Sequence, residues 1–149
     1  MIKLNIRRIA WSLLVGSLTI GFLPIAVQSY VLKKTDQLQS VSLREFFEQE
    51  QQKLYLFNQV GGNYREFMLL NKIVELESGW RPNVIGDGGR AFGLAQFHKG
   101  TFDDFKEEAQ MSELEYKNPY HQLTLLVWAI ENGKQSHWTT FKRAKKLVL

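Results

Sequence analysis

Residues 73–101, IVELESGWRPNVIGDGGRAFGLAQFHKGT, contain the groups whose types and spacing could do chemistry. Glu77 comes first among them. Counting on by four from Ile73 and by three from Val74 along an apolar helix face lands on Glu77, so its carboxyl continues a buried stripe. It also stands near the carboxyl end of the helix, where the macrodipole disfavours negative charge. Both effects raise a carboxyl pKa and keep the group protonated, which a general acid requires near neutral pH. Glu75 differs: it lies beside Asn71 and Lys72 on a polar face, and Lys72 is spaced to neutralise it. Spacing alone leaves a second reading open for Glu77, a side chain that swings to solvent or pairs with Arg81 or Arg90.

Other chemistries find little support. Asp87 could supply a second carboxylate ten residues on, but a turn of Gly86, Asp87, Gly88 and Gly89 explains it without chemistry. His98 has no second histidine or acid at ligand spacing, and His121 and His137 read as ordinary helix or loop residues, so no metal is expected. The absence of cysteine excludes disulfides, zinc thiolates and a cysteine nucleophile. No nucleophile-elbow motif accompanies the serines, and no cofactor is expected.

The elements that must position Glu77 are mostly helical. Asn63 with Glu66 caps a helix running to about Ser78, with Phe67, Leu70, Ile73 and Val74 on its apolar face. Gly79 suits a left-handed helix end, and Pro82 forbids continuation. Upstream, Ser42 and Glu45 form a capping box for a helix over residues 43–57, ended by Gly61 and Gly62. Downstream, residues 91–97 read as a short strand returning beside the glycine turn. Thr101 with Asp104 caps a helix to about Gln110. Asn118 and Pro119 start a central core helix carrying Leu123, Leu126, Val127 and Ile130, which Gly133 stops. A last helix over residues 139–146 ends in Lys142, Arg143, Lys145 and Lys146, which read as a solvated end. The fold class is therefore mostly α, with a small β-hairpin beside the helix of Glu77.

Composition sets the surroundings. The chain has 149 residues, 44% hydrophobic and 23% charged, enough for one globular domain and a short extra segment. Residues 1–29 carry Lys3, Arg7 and Arg8 without an acid, and residues 9–27 contain no charge. That pattern is a signal peptide or a membrane anchor, which places the rest outside the cytoplasm. The full-chain charge of +4 falls to +1 once those three basic residues are set aside, leaving no electrostatic footprint for nucleic acid. The expected organisation is a signal or anchor over 1–29, a polar linker over 30–41, and a monomeric domain over 42–149.

At Glu77 and Ser78, followed by Gly93, Leu94, Ala95 and Gln96, the sequence resembles the lytic transglycosylases of the lysozyme-like fold. In that family a helix ends on Glu-Ser, a proline follows, and a glycine-containing loop leads to Gly-Leu-Met-Gln and then a threonine. Pro82, Ala91 and Thr101 also fall at matching spacing. Ala95 stands where the family usually has Met, and Lys99 where it often has Pro. The family's later Ala-Tyr-Asn-Ala-Gly motif has a partial counterpart in Ala129, Ile130, Glu131, Asn132 and Gly133, without the Tyr and with the Asn one place late.

The resemblance implies an α+β lysozyme-like domain acting on peptidoglycan glycan strands. Glu77 would be the catalytic acid and then base on the bond between N-acetylmuramic acid and N-acetylglucosamine, leaving 1,6-anhydro ends. It further implies that Ser78 orients the Glu77 carboxyl and that Gln96 hydrogen-bonds a sugar. Phe97 and Trp138, with Trp80 and Tyr120, would offer stacking surfaces, and Asn132 would contact substrate. Two other readings stay in play: a hydrolytic muramidase, and a non-catalytic glycan-binding or envelope scaffold protein.

Overall fold

The computed structural model describes residues 25–148; the basic start and most of the apolar run of residues 9–27 lie outside them. No helix among the described residues is long and apolar enough to cross a membrane. The chain divides between Glu45 and Phe46 into two compact units.

In the first unit the described residues belong to helix α1 (Ile25–Gln59), which continues into the second. Residues 30–41 are thus helical, and no helix begins at Ser42. The linker reading rested on polarity, yet Lys, Gln and Leu favour helix, and nothing in α1 is glycine or proline. Ser42 caps nothing: its hydroxyl donates to the Gln39 carbonyl (2.9 Å), as Ser40 does to Gln37, the mid-helix habit of serine.

The second unit, Phe46–Leu149, contains Glu77. Helix α2 (Tyr64–Glu77) starts where the capping pattern places it, with the Asn63 side chain accepting from the Glu66 amide. Strands β1 (Ile85–Gly86), β2 (Ala91–Phe92) and β3 (Phe97–His98) form an antiparallel sheet in that order. Ile85 pairs with Phe92 and Gly86 with Ala91, then Ala91 with His98 and Phe92 with Phe97. The single strand expected over residues 91–97 is therefore two strands with a turn between them. Gly93 breaks the run with φ +81°, and its amide turns back to the Val84 carbonyl.

Helix α3 (Lys99–Glu108) begins two residues before Thr101, with His98 at the N-cap and no side-chain cap bond, so the Thr101–Asp104 cap does not form. Helix α4 (Pro119–Glu131) begins as expected, with the Asn118 side chain accepting from the Tyr120 and His121 amides. Helix α5 (Phe141–Val148) closes the unit and packs against α2.

Leu56 of α1, Leu70, Ile73 and Val74 of α2, Phe102 of α3, and Leu123, Leu125 and Leu126 of α4 are fully buried in one core. The fold is mostly α with a small antiparallel sheet, the class expected.

One core residue is polar and fully used. Gln122, completely buried on α4, accepts from the Ala95 amide (3.2 Å) and donates to the carbonyls of Phe92 (3.2 Å) and Tyr116 (2.7 Å). Buried Gln52 on α1 is its opposite, because its amide oxygen has no hydrogen-bond partner among the described residues. The two should therefore respond differently to apolar replacement. Gln122→Leu leaves one amide and two carbonyls unpaired and should cost about 3 kcal/mol in denaturant unfolding. Gln52→Met removes an unpaired acceptor and should be neutral or stabilising. Equal losses from the two would contradict this account.

Candidate active site

Glu77 is the last residue of α2. The helix stops there because the Ser78 and Gly79 amides close back on the Val74 and Glu75 carbonyls, and Gly79 takes φ +61°. The Glu77 side chain is half-buried, as its place on the apolar stripe requires. It pairs with neither Arg81 nor Arg90: the Arg81 guanidinium donates to the Ser78 carbonyl and Arg90 to Asp87. The hydroxyl of Thr140, which directly precedes α5, donates to Glu77 Oε1. Burial pushes the Glu77 pKa above its ordinary value of 4.5, and the Thr140 hydrogen bond lowers it in part. A partly desolvated carboxyl with one oxygen held and a raised pKa is equipped to carry and deliver a proton. Glu75 is exposed on the same helix and paired with Lys72 at 2.9 Å, as its polar setting predicts.

Thr140 was not singled out from sequence. It lies 63 residues from Glu77, and only the packing of α5 against α2 brings it there. Ser78, expected to orient Glu77, is buried and donates to the Val74 carbonyl instead (3.1 Å). A serine at a helix end finds the carbonyl four residues back nearer than the neighbouring carboxyl.

Asp87 sits in an exposed turn with φ +48°. Its Oδ1 accepts from Arg90 (2.8 Å) and its Oδ2 faces His98 Nε2 (2.8 Å). Arg90 foremost, then His98, holds its carboxyl below the usual aspartate range. The two carboxyls are thus driven apart, Glu77 toward the acid form and Asp87 toward the anion.

The expected sugar contacts are redistributed. Gln96, at φ +50°, spends both amide hydrogens on the Val84 (3.0 Å) and Gly93 (2.8 Å) carbonyls, so it braces the sheet. Phe97 (2% exposed) and Trp138 (5%) are core groups packed edge to face, and the Trp138 indole donates to the Ala95 carbonyl. Trp80 is buried as well, while half-buried Tyr120 packs edge to face on Tyr55. Asn132 caps its own helix, donating to the Trp128 carbonyl (2.8 Å). Gln96, Phe97 and Trp138 nonetheless converge, with His98, Thr101 and His137, on one concavity of about 210 Å³. Glu77 is not part of that lining; Trp138 on its wall stands two residues before Thr140. It is smaller than the ~300 Å³ from which most ligand clefts begin, so it suits a single pendant group. No group of three or more histidines, aspartates and glutamates is placed to hold a metal among the described residues.

Residues 73–148 match the family model described as phage tail lysozyme. The chain belongs to that family. No curated protein and no solved structure matches it. Membership of the phage tail lysozyme family supports a lysozyme-like fold and suggests glycan cleavage on peptidoglycan as the class of activity. It makes no distinction between lytic transglycosylase and hydrolase.

The raised pKa has a consequence for stability. The fold holds the Glu77 proton more tightly than the unfolded chain, so the stability it contributes is present below about 4.5 and lost as pH rises through the folded-state value. Glu77→Gln keeps the shape and cannot ionise. In thermal melts its midpoint should rise relative to wild type between about pH 4 and about pH 8. A gap that stays constant with pH would contradict the burial of Glu77.

Proposed function

We propose that this chain is a lytic transglycosylase of peptidoglycan, cutting the β-1,4 bond between N-acetylmuramic acid and N-acetylglucosamine with Glu77 as the only catalytic carboxylate. The observation that carries this reading is the contrast between the two acids. Glu77 is half-buried, raised in pKa and held by a neutral hydroxyl, while Asp87 is exposed and engaged on both oxygens. Glycoside hydrolases generally use two carboxylates, one of them free to act on water or on the sugar. Asp87 is not free in that sense.

In the proposed reaction the protonated Glu77 gives its proton to the bridging oxygen as the bond from muramic C1 breaks. The Glu77 carboxylate then takes the proton of the muramic 6-hydroxyl as that oxygen bonds to C1. The products are a free 4-hydroxyl on N-acetylglucosamine and a 1,6-anhydro muramic end, and Glu77 regains its proton. No water is consumed. Thr140 would hold Oε1 throughout, leaving Oε2 to carry the proton. The concavity lined by Gln96, Phe97 and Trp138 would receive a pendant group such as an acetamido. Ser78 and Asn132, each tied to its own helix, take no part in this proposal. The substrate lies outside the cytoplasmic membrane, which fits the basic and then apolar start of the chain. The family description, a lysozyme, favours hydrolysis as the second reading.

Product mass separates the readings. Muropeptides released from purified peptidoglycan should be one water lighter than hydrolytic products, and Glu77→Gln should lower their release by roughly 10²–10⁴-fold while the protein stays folded. Products of full mass would establish the muramidase, and near-normal release by a folded Glu77→Gln protein would remove Glu77 from the chemistry. A second test concerns Thr140. Thr140→Val removes the bond that lowers the Glu77 pKa, so the protonated, active form persists to higher pH. The alkaline limb of its pH–rate profile should move upward as turnover falls; a limb that stays in place would mean that Thr140 does not tune the acid.

A further inference from the structure

Helix α5 carries a charge pattern that the proposed reaction does not use. Lys142, Arg143, Lys145 and Lys146 are all exposed, and none forms an ion pair with another described residue. At 3.6 residues per turn they span an arc of about 160° on one side of the helix. The opposite side is committed to the core through fully buried Ala144 and partly buried Phe141. The unit from Phe46 onward has thirteen basic and thirteen acidic residues. With the four cations of α5 set aside, nine basic residues face thirteen acidic ones. A unit of zero net charge thus concentrates four of its cations on one short helix. That helix begins one residue after Thr140, whose hydroxyl holds Glu77.

We propose that this face of α5 docks the carboxylates of the peptide stems borne by peptidoglycan strands, a selectivity that rests on the glycan-cleaving reading above. Stems hang from the muramic sugar, so each scissile bond brings carboxylates with it, and cations beside Thr140 are placed to meet them. A bilayer surface is a poorer fit. Helices that lie in a membrane interface bury an apolar face there, and that of α5 is already spent on the core. Four solvent-exposed pairs of modest strength, screened by salt, give selectivity without tight binding.

The test measures binding with the full-length chain carrying Glu77→Gln, so that cleavage does not consume the target. Cosedimentation compares intact peptidoglycan with strands stripped of stems by an amidase. The stem-bearing material should bind roughly tenfold tighter, and the preference should shrink as salt rises. Replacing Lys142, Arg143, Lys145 and Lys146 together by Gln should abolish the preference, whereas exchanging Lys for Arg at 142, 145 and 146 should keep it. Circular dichroism checks that both variants are folded. An unchanged preference in the Gln variant would overturn the proposal, as would equal binding of intact and stripped strands by the parent. So would a preference lost when phosphodiester polymers are removed by hydrofluoric acid but kept after amidase treatment. Because binding is read in a non-cleaving background, failure of the transglycosylase reading shows separately, in the products of the wild-type chain.

Discussion

A buried loop must find partners for its backbone, and this constraint organises the domain. Leu94 and Ala95 are fully buried although they lie in a turn between two strands, where no ladder satisfies their amides and carbonyls. Three side chains supply what the ladder cannot. Gln122 comes from the central helix to bond the Ala95 amide and the Phe92 carbonyl, and Trp138 reaches in from the C-terminal segment to the Ala95 carbonyl. Gln96 folds back to join Val84 and Gly93. The glycine follows from the same constraint. A Cβ on Gly93 would stand 2.4 Å from the Gln122 amide nitrogen, so the close approach of helix to loop excludes any side chain there. Trp138, once fixed by the loop, sets the start of the segment that presents Thr140 to Glu77. The acid's one hydrogen bond thus descends, through the chain, from the satisfaction of a buried turn.

Electrostatics then divides labour between two acids ten residues apart. Glu77 is raised by loss of water, with only a neutral hydroxyl to offset it. Asp87 meets a guanidinium and an imidazole at a solvent-exposed turn and is lowered. Neither outcome follows from residue type. Each follows from what the backbone brings near: an apolar helix face in one case, a tight turn and a sheet partner in the other. His98 reaches Asp87 because β3 returns beside β2, and Arg90 because the turn brings it close to Asp87.

What could be read in the sequence was local. The Asn63 and Asn118 caps, the pairing of Lys72 with Glu75 and the half-burial of Glu77 all depend on neighbours within about one helical turn, and periodicity encodes those distances directly. What escaped was of two kinds. The linker assigned to residues 30–41 failed because polarity is not a helix breaker: the sequence offers no glycine or proline there, and α1 runs through. Thr140, Gln122 and the inward turn of Gln96 escaped because their partners are set by tertiary packing, across 63 residues for Thr140 and 27 for Gln122 with Ala95. A glutamine beside Leu123 on the most apolar helix was the available signal, since a polar group at a core position must answer a backbone need elsewhere. The resemblance named Gln96 and Phe97 correctly as residues of the critical loop. Their side chains brace that loop from within.

This overlap of bracing and lining has a physical cause. A domain this small has few aromatic residues to spare, so the walls of its concavity are the outer faces of its core. Phe97 packs on Phe102, Phe105 and Trp138 while its backbone carbonyl accepts from the Tyr116 hydroxyl (2.7 Å), and the same ring borders the open space. Trp138 is similarly shared between the loop, the core and the concavity. Truncating such a residue creates a void in the core and reshapes the wall at once, so loss of stability and loss of fit cannot be separated by that substitution. Polar groups that touch few neighbours are different. Thr140 and the exposed cations of α5 alter charge and hydrogen bonding with little change in packed volume. Specificity in this fold is therefore more readily adjusted at the rim, through exposed polar side chains, than at the aromatic floor, where each change is also a change to the core.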